Sequence, residues 1–530
     1  MSGSGQRFLD AGYELPKPLI EVDGKAMIEH VIGLFPGETS FVFICNSRDI
    51  EKTNLADVLK RALPSGKIVQ IPPHKKGPVY AVSKIFDLLK DEEEVIVNYC
   101  DFSKSWSYRD FLKKARNLDA DGGISAYRGF HPHMLGTTNY AFIRNDGEWL
   151  LEIQEKKPFT NNRMREYASD GTYYFKKGKY VKKYCKQIMD EDINLEGEYY
   201  VSMLFNLMKK DHLKICIYEI EQMLQWGAPR DLEEYQKWSR YFRQISKPRK
   251  IISPRAGSIN LIPLAGKGKR FVNEGYKTPK ALINVGGLPM VMQAAKSLPC
   301  AEKYIFICLK EHLDNFALAD TIQQAYPEAK IVTVDSITEG QARTCEIGLY
   351  SEDLEASLLI GACDNGMLWD ADKYQSLISD ENVDVIVWSF RHSLASERNP
   401  EMYGWIKTDA RNNVLSVSVK VPISDKPYND QAIVGTFYFK KVSYFLRALK
   451  RIYEKNIRVN NEFYVDSCLN ELIELGLRVK IFEVDSYICW GTPDDLKTYE
   501  YWMKYFRKQG QLSAAGGLVG LAWAGVKNNG

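Results

Sequence analysis

A chain of 530 residues exceeds one ordinary hydrophobic core, so about two to four domains are expected. With 45% hydrophobic and 26% charged residues, the composition excludes a disordered or fibrous chain. Lys and Arg (71) barely exceed Asp and Glu (68), which excludes a strong overall field for nucleic acid or acidic membranes, so any anion binding must be local. The ten cysteines fall singly, with no CxxC pair to suggest a zinc or redox site. Several lie in strand-like runs such as FVFIC and YIFIC, which reads as buried, reduced thiols. With no signal peptide and no apolar run of the roughly 18 residues that span a bilayer, the expectation is a cytoplasmic protein without membrane or nucleic-acid partners.

In chain order, the first informative segment is GSGQRFLDAGYELPKPLIEVDG from Gly3, and it returns from Gly266 as GKGKRFVNEGYKTPKALINVGG. One constant offset joins Arg7 to Arg270, Lys17 to Lys280, Cys45 to Cys308, Gly77 to Gly340, Asp101 to Asp364 and Trp106 to Trp369. After a one-residue insertion it continues through Lys156 and Lys420, Gly171 and Gly435, Glu198 and Glu462, Trp226 and Trp490, and Asp231 and Asp495. The expected organisation is therefore a first domain over 1–245, a basic Pro/Gly linker over 246–258, a second domain over 259–506 and a poorly ordered Gly/Ala-rich tail over 507–530, with an artefact of cloning or reading frame as the alternative origin of the tail.

Each copy alternates β-branched or aromatic runs with helical patterns, as in INLIPL, YIFICL and KIVTV with FALADTIQQAY between the last two. This predicts an α/β fold with mostly parallel, mixed sheets, whose ligands bind at the carboxyl ends of the strands. Met1 aligns with Leu264, so the first copy has no counterpart of INLIPL, the strand that delivers the glycine loop. We read this as a natural start upstream of Met1, with a poorly organised first site as the alternative.

The glycine loops, Gly3 and Gly5 or Gly266 and Gly268, precede Arg7 and Lys17 or Arg270 and Lys280. Glycines allow backbone N–H groups to approach phosphate, and the cations neutralise a polyphosphate. The pattern is neither a P-loop nor the dinucleotide GxGxxG. Two apolar strands end in aspartate, EVIVNYCDF at Asp101 and SLLIGACDN at Asp364, where a carboxylate plus substrate phosphates would hold Mg²⁺ or Mn²⁺.

Together these motifs resemble the sugar-1-phosphate nucleotidyltransferase family, in which GxGxRF…PKPL leads the domain. The resemblance implies two tandem Rossmann-like domains of the nucleotide-diphospho-sugar transferase type. It also implies metal-dependent transfer of a nucleotidyl group from an NTP to a sugar 1-phosphate with release of pyrophosphate, serving surface or capsular polysaccharide synthesis. Arg7, Lys17, Arg270 and Lys280 would act on the triphosphate. Gly77, Gly340 and Gln341 fall in the segments resembling the nucleobase site, with Pro78 at the first copy's counterpart of Gln341. QEKKPF and VKVP assign the acceptor's phosphate to Lys156 and Lys420, while GEYYV and NEFYV assign its sugar hydroxyls to Glu198 and Glu462.

WGAPRDL and WGTPDDL resemble the family's closing DxGTPxDL, but its Asp, a second metal ligand, is Gln225 in one copy and Cys489 in the other. Glu221 and Asp485, four residues upstream, are the candidate substitutes. The acceptor regions differ between copies, and His131 and His133 are candidate acceptor contacts with surface placement as the alternative. Rival functions are a cytidylyltransferase for a polyol phosphate or choline phosphate, and a non-catalytic regulatory or scaffold protein; a metal-dependent glycosyltransferase would predict a DxD triplet, which NYCDF and GACDN lack. Expected partners are an NTP and a phosphorylated sugar or polyol, with a homo-oligomer possible.

Overall fold

The computed structural model describes residues 1, 3, 5–136, 139–248 and 250–510; most of the predicted tail lies outside them. It contains two compact units, Met1–Ser239 and Arg240–Gly530. The division falls inside the helix Pro229–Ile245, ahead of the predicted linker, and the last described helix, Pro493–Lys508, runs past the predicted end of the second domain. Among the described residues, no helix is long and apolar enough to cross a membrane.

The second unit is built on a nine-stranded mixed sheet. Its main path runs Lys330–Val334, Lys303–Leu309, Ile259–Leu264, Leu358–Ile360, Gln431–Phe439, Val385–Phe390 and Val479–Glu483. The run INLIPL is apolar at nearly every position because both its faces are covered, the signature of a central parallel strand. It pairs in parallel with Lys303–Leu309 on one side and Leu358–Ile360 on the other. Separate packed clusters form on the two faces, one around Leu261, Ile305 and Phe437, the other around Ile262, Phe306 and Trp388.

In the first unit the corresponding strands form two separate sheets. Val42–Asn46 and Lys67–Ile71 pair in parallel as a two-stranded sheet. A six-stranded mixed sheet begins at Val95–Asn98 and continues through Tyr167–Phe175, Gly122–Tyr127, Ile215–Glu219, Trp149–Glu155 and Ala141–Asp146. Residues Val95–Asn98 are only half-buried, whereas the matching Leu358–Ile360 are buried throughout.

Candidate active site

In both units a left-handed glycine starts the short helix that carries the motif's arginine. Gly5 (φ 62°) precedes the helix Gln6–Asp10, and Gly268 (φ 60°) precedes Lys269–Asn273. A Cβ on Gly268 would also come within 2.9 Å of the Lys280 Cβ, so glycine is required there twice over. Arg7 and Arg270 lie exposed in these short helices. Pro16 and Pro279 cap the short 3₁₀ turns that begin with Lys17 and Lys280 and aim both lysines inward.

Each lysine meets the strand-end aspartate. Lys17 Nζ donates to Asp101 Oδ2 at 3.0 Å and to the Gly227 carbonyl at 3.0 Å. Lys280 Nζ donates to Asp364 Oδ2 in the same way. Burial works against a charged Asp101, but Lys17, followed by Arg7, outweighs it and holds the carboxyl below the usual range. Burial likewise opposes the Lys280 ammonium, yet Asp364 keeps its pKa above the ordinary value. The aspartate backbones are pinned from the neighbouring strand: Trp226 N–H donates to the Asp101 carbonyl at 3.1 Å and Trp490 N–H to the Asp364 carbonyl at 2.9 Å.

The strand pairings set Phe102 opposite Gln225 and Asn365 opposite Cys489, which brings both replacement residues beside the aspartates. A Cβ on Gly227 would lie 3.2 Å from Asp101 Oδ2 and 3.0 Å from Gln225 Nε2; one on Gly491 would lie 3.3 Å from both Asp364 Oδ2 and Cys489 Sγ. Burial, then the Asp495 and Asp364 carboxylates, push the Cys489 thiol well up, and it donates to Asp495 Oδ2 at 3.4 Å, so it stays a neutral S–H. Glu221 and Asp485 do not substitute as metal ligands. Both are exposed at the opposite end of these strand pairs, where Glu221 N–H bonds the Ser105 carbonyl and Asp485 precedes Ser486, the partner of Leu368. Four residues of strand separate them from Gln225 and Cys489 by about 13 Å, too far to share a cation with the aspartates.

The segments at Gly77 and Gly340 interlock with those at Glu198 and Glu462. Gly77 (φ 79°) and Gly340 (φ 123°) pass so close to the latter segments that a Cβ would fall 2.6 Å from Tyr199 N and 2.5 Å from Phe463 N. Backbone bonds join them: Val79 N–H to the Tyr199 carbonyl at 3.1 Å, and Ala342 N–H to the Phe463 carbonyl at 3.0 Å. Gln341 opens the helix Gln341–Gly348 directly after this contact. Glu198 and Glu462 stand beside it, Glu198 accepting a bond from the Tyr200 hydroxyl.

Lys156 and Lys420 both have left-handed backbones, φ 57° and 61°, a strained conformation for a non-glycine residue held at the same place in both units. Lys156 Nζ lies 5.5 Å from the Tyr200 ring centre and Lys420 Nζ 5.0 Å from that of Tyr464. Lys156 also pairs with Glu196 at 2.8 Å. His131 is buried rather than at the surface, its ring centre 4.5 Å from that of Tyr127. His133 bonds the Tyr127 hydroxyl at 3.0 Å, and burial drives its pKa well down, so both histidines pack rather than await an acceptor.

A carboxyl group that motif reading missed is Asp466. In the first unit Ser202 donates to Glu155, next to Lys156. In the second unit the matching positions are Val419 and Asp466, so the carboxyl has moved from the strand to the start of the helix Val465–Glu474. Burial pushes Asp466 up to about 6, with Lys420 pulling the other way. The compensating change was visible by reading the two copies against each other, column by column.

The sequence profile described as nucleotidyl transferase matches residues 1–219. This segment is a nucleotidyl transferase domain. The nucleotidyl transferase domain carries the Lys17–Asp101 pair, the Gly77 contact and Lys156. The chain is also similar to the bifunctional protein GlmU of Alkaliphilus metalliredigens, 26% identical over 226 residues, which are 42% of this chain and 46% of that protein. The chain thus spans less than half the length of that curated relative. Among solved structures, a nucleoside-diphosphate-sugar pyrophosphorylase from Vibrio cholerae RC9 is 21% identical, covering 45% of this chain and 98% of its own at a TM-score of 0.39. An inositol-1-phosphate CTP transferase from T. maritima is 17% identical, covering 48% and 98% at a TM-score of 0.38. These two remain likenesses only.

Proposed function

We propose that the chain transfers a nucleotidyl group from an NTP to a sugar 1-phosphate and releases pyrophosphate, with one site in each unit. The observation that carries this reading is the recurrence of one constellation, a left-handed glycine, an inward lysine and a strand-end aspartate, in Gly5–Lys17–Asp101 and again in Gly268–Lys280–Asp364. The acceptor's phosphate oxygen would attack the α-phosphorus in line. That oxygen is already anionic at neutral pH, so no general base is needed, and positioning and charge stabilisation carry the rate. Arg7 or Arg270 and Lys17 or Lys280 offset charge on the triphosphate and the departing pyrophosphate. Lys156 or Lys420 orients the attacking phosphate, and Glu198 or Glu462 accepts from acceptor hydroxyls.

The donor set fits a magnesium or manganese ion that takes most of its oxygens from phosphate and water, because each site offers one strand-end aspartate with Gln225 or Cys489 beside it where the family has its second. Among the described residues no three His, Cys, Asp or Glu side chains converge, so Asp101 or Asp364 would be the protein's main ligand. Held by Asp101 or Asp364, such an ion would supply positive charge to offset that of the phosphates. A soluble cytoplasmic role in polysaccharide precursor synthesis, and assembly as a homo-oligomer, belong to the same reading.

Gln225 and Cys489 in place of the family aspartate favour a second reading, a cytidylyltransferase for a polyol phosphate or choline phosphate. A pyrophosphate-release screen of four NTPs against sugar phosphates and polyol phosphates, with and without chelator, tests both. Release only with a sugar 1-phosphate and a divalent ion is expected; release that persists in chelator would overturn the metal-dependent assignment.

A further inference from the structure

The second unit has a cavity of about 550 Å³ at the amino end of its sheet, bordered by Ser258, Ile259 and Asn260 at the start of the strand Ile259–Leu264, by Ser357 ahead of Leu358–Ile360, and by Tyr438. Gly266 lies beyond the other end of Ile259–Leu264, about 20 Å from Asn260, so this cavity is separate from the candidate active site. Part of its wall is apolar, formed by the buried Ile259, Leu359 and Ile378.

The first unit shows what this cavity lacks. There the Tyr174 hydroxyl donates to Glu94 Oε1 at 2.7 Å, and Arg116 donates to the same carboxylate at 3.0 and 2.5 Å. The matching residues of the second unit are Tyr438, Ser357 and Ser379, so the tyrosine is kept while the carboxylate and its arginine are gone. Tyr438 is 5% exposed, and its buried hydroxyl, on the cavity wall, has no hydrogen-bond partner. An arginine returns from another part of the chain. Arg255, on the segment before the sheet, lines the cavity and, with Ser357, works against the rise that burial imposes on the Tyr438 pKa. Its guanidinium donates to the Ile378 carbonyl at 3.4 Å, and among the described residues no carboxylate pairs with it. The other charged residues on the wall, Lys440 and Glu381, are opposite in sign, which leaves one positive charge in excess. A buried donor and a surplus cation are both satisfied by one anionic oxygen group.

We infer that this cavity binds a small organic carboxylate, whose head group takes the place that Glu94 holds in the first unit, between Arg255 and the Tyr438 hydroxyl, with its apolar body against Leu359 and Ile378. The inference rests on this wall and not on the assigned reaction, so the two can fail separately.

Calorimetric titration of the full chain with benzoate tests it, with phenyl phosphate and benzyl alcohol as the doubly charged and neutral probes of similar body. Benzoate should bind saturably and more tightly than either, and should slow hydrogen exchange over residues 252–260. Arg255→Gln and Ser357→Glu, the second of which supplies the first unit's carboxylate, should each weaken benzoate binding by at least about tenfold, the scale of one lost hydrogen bond to a charged group. Arg255 is exposed and outside the sheet, so Arg255→Gln decides should Ser357→Glu fail to fold. No benzoate binding, binding that Arg255→Gln leaves unchanged, or benzyl alcohol binding as tightly would overturn the inference. Phenyl phosphate binding more tightly than benzoate would overturn the carboxylate as the head group.

Discussion

In the second unit the strand Ile259–Leu264 delivers Gly266 and Gly268 from the middle of a sheet that grips it on both edges. In the first unit Gly3 and Gly5 lie beside an open cavity, and no strand of the described residues stands between Val42–Asn46 and Val95–Asn98. Both units nonetheless bring a lysine onto the strand-end aspartate. The difference separates two jobs that one motif seems to perform together. The Lys–Asp pair needs only the 3₁₀ turn after a proline and the strand that ends in aspartate, and Gly5 keeps the left-handed backbone of Gly268, φ 62° against 60°, without a central strand behind it. The strand's expected contribution is to fix the position of the loop, since a misplacement of about 1 Å can cost roughly 100-fold in rate.

A second contrast lies in the cores. Lys104 is 0% exposed in the first unit and donates to Asp170 at 2.8 Å, Ser125 at 3.0 Å and Thr172 at 2.7 Å, with its ammonium 3.4 Å from the Trp106 ring centre. The second unit fills the same place with Met367 and Val434, and Thr436 donates to the Met367 sulfur at 3.9 Å. The largest expected effect follows from this pair. Lys104→Met alone strands a buried carboxylate and should destabilise the first unit by about 3–5 kcal/mol, while Lys104→Met with Asp170→Val should be neutral or stabilising by up to about 4 kcal/mol. Urea unfolding followed by exchange in Gly122–Tyr127 checks this; a double variant as unstable as the single one would show that the two cores are not interchangeable.

Next in size are the cations of the better-supported loop. Arg270→Ala or Lys280→Ala should each lower turnover by on the order of 10²- to 10³-fold, the loss typical of one preorganised donor to transition-state charge. Steady-state kinetics separate this from ground-state anchoring, which would raise KM and leave kcat unchanged.

Much of this site was legible in the sequence because repetition marked it. The Arg, Lys and Asp positions, the glycines at Gly77 and Gly340, and Lys156 with Lys420 recur at fixed offsets, and the structure gives the last two pairs a positive φ in both units. The missing central strand could be seen from Met1 aligning with Leu264. What failed was distance. Glu221 and Asp485 have suitable chemistry, but strand spacing carries them to the far end of the strand pair, which a motif four residues long does not reveal. The packing of the two histidines and the place of Asp466 escaped because a motif does not show which side chains meet in the fold; His133 meets Tyr127 within its own loop, and Asp466 faces Gly404 from far along the chain.

The smallest effect concerns pH. Asp466 has a folded pKa of about 6, above the usual carboxyl value, so it binds a proton more tightly folded than unfolded. Its contribution to stability is full below about pH 4 and is lost as pH rises through about 6. The total is at most about 3 kcal/mol, at about 1.4 kcal/mol per pKa unit. Asp466→Asn should flatten that slope in the second unit; an unchanged slope would assign it to other groups.

The central claim is that the strand behind the glycine loop decides which unit turns over substrate. Pyrophosphate release by Asp364→Asn and by Asp101→Asn, each in the otherwise unaltered chain, tests it most directly. Asp364→Asn should abolish most of the activity and Asp101→Asn should remove little. If Asp101→Asn alone silences the chain, the units share one composite site and the account is contradicted.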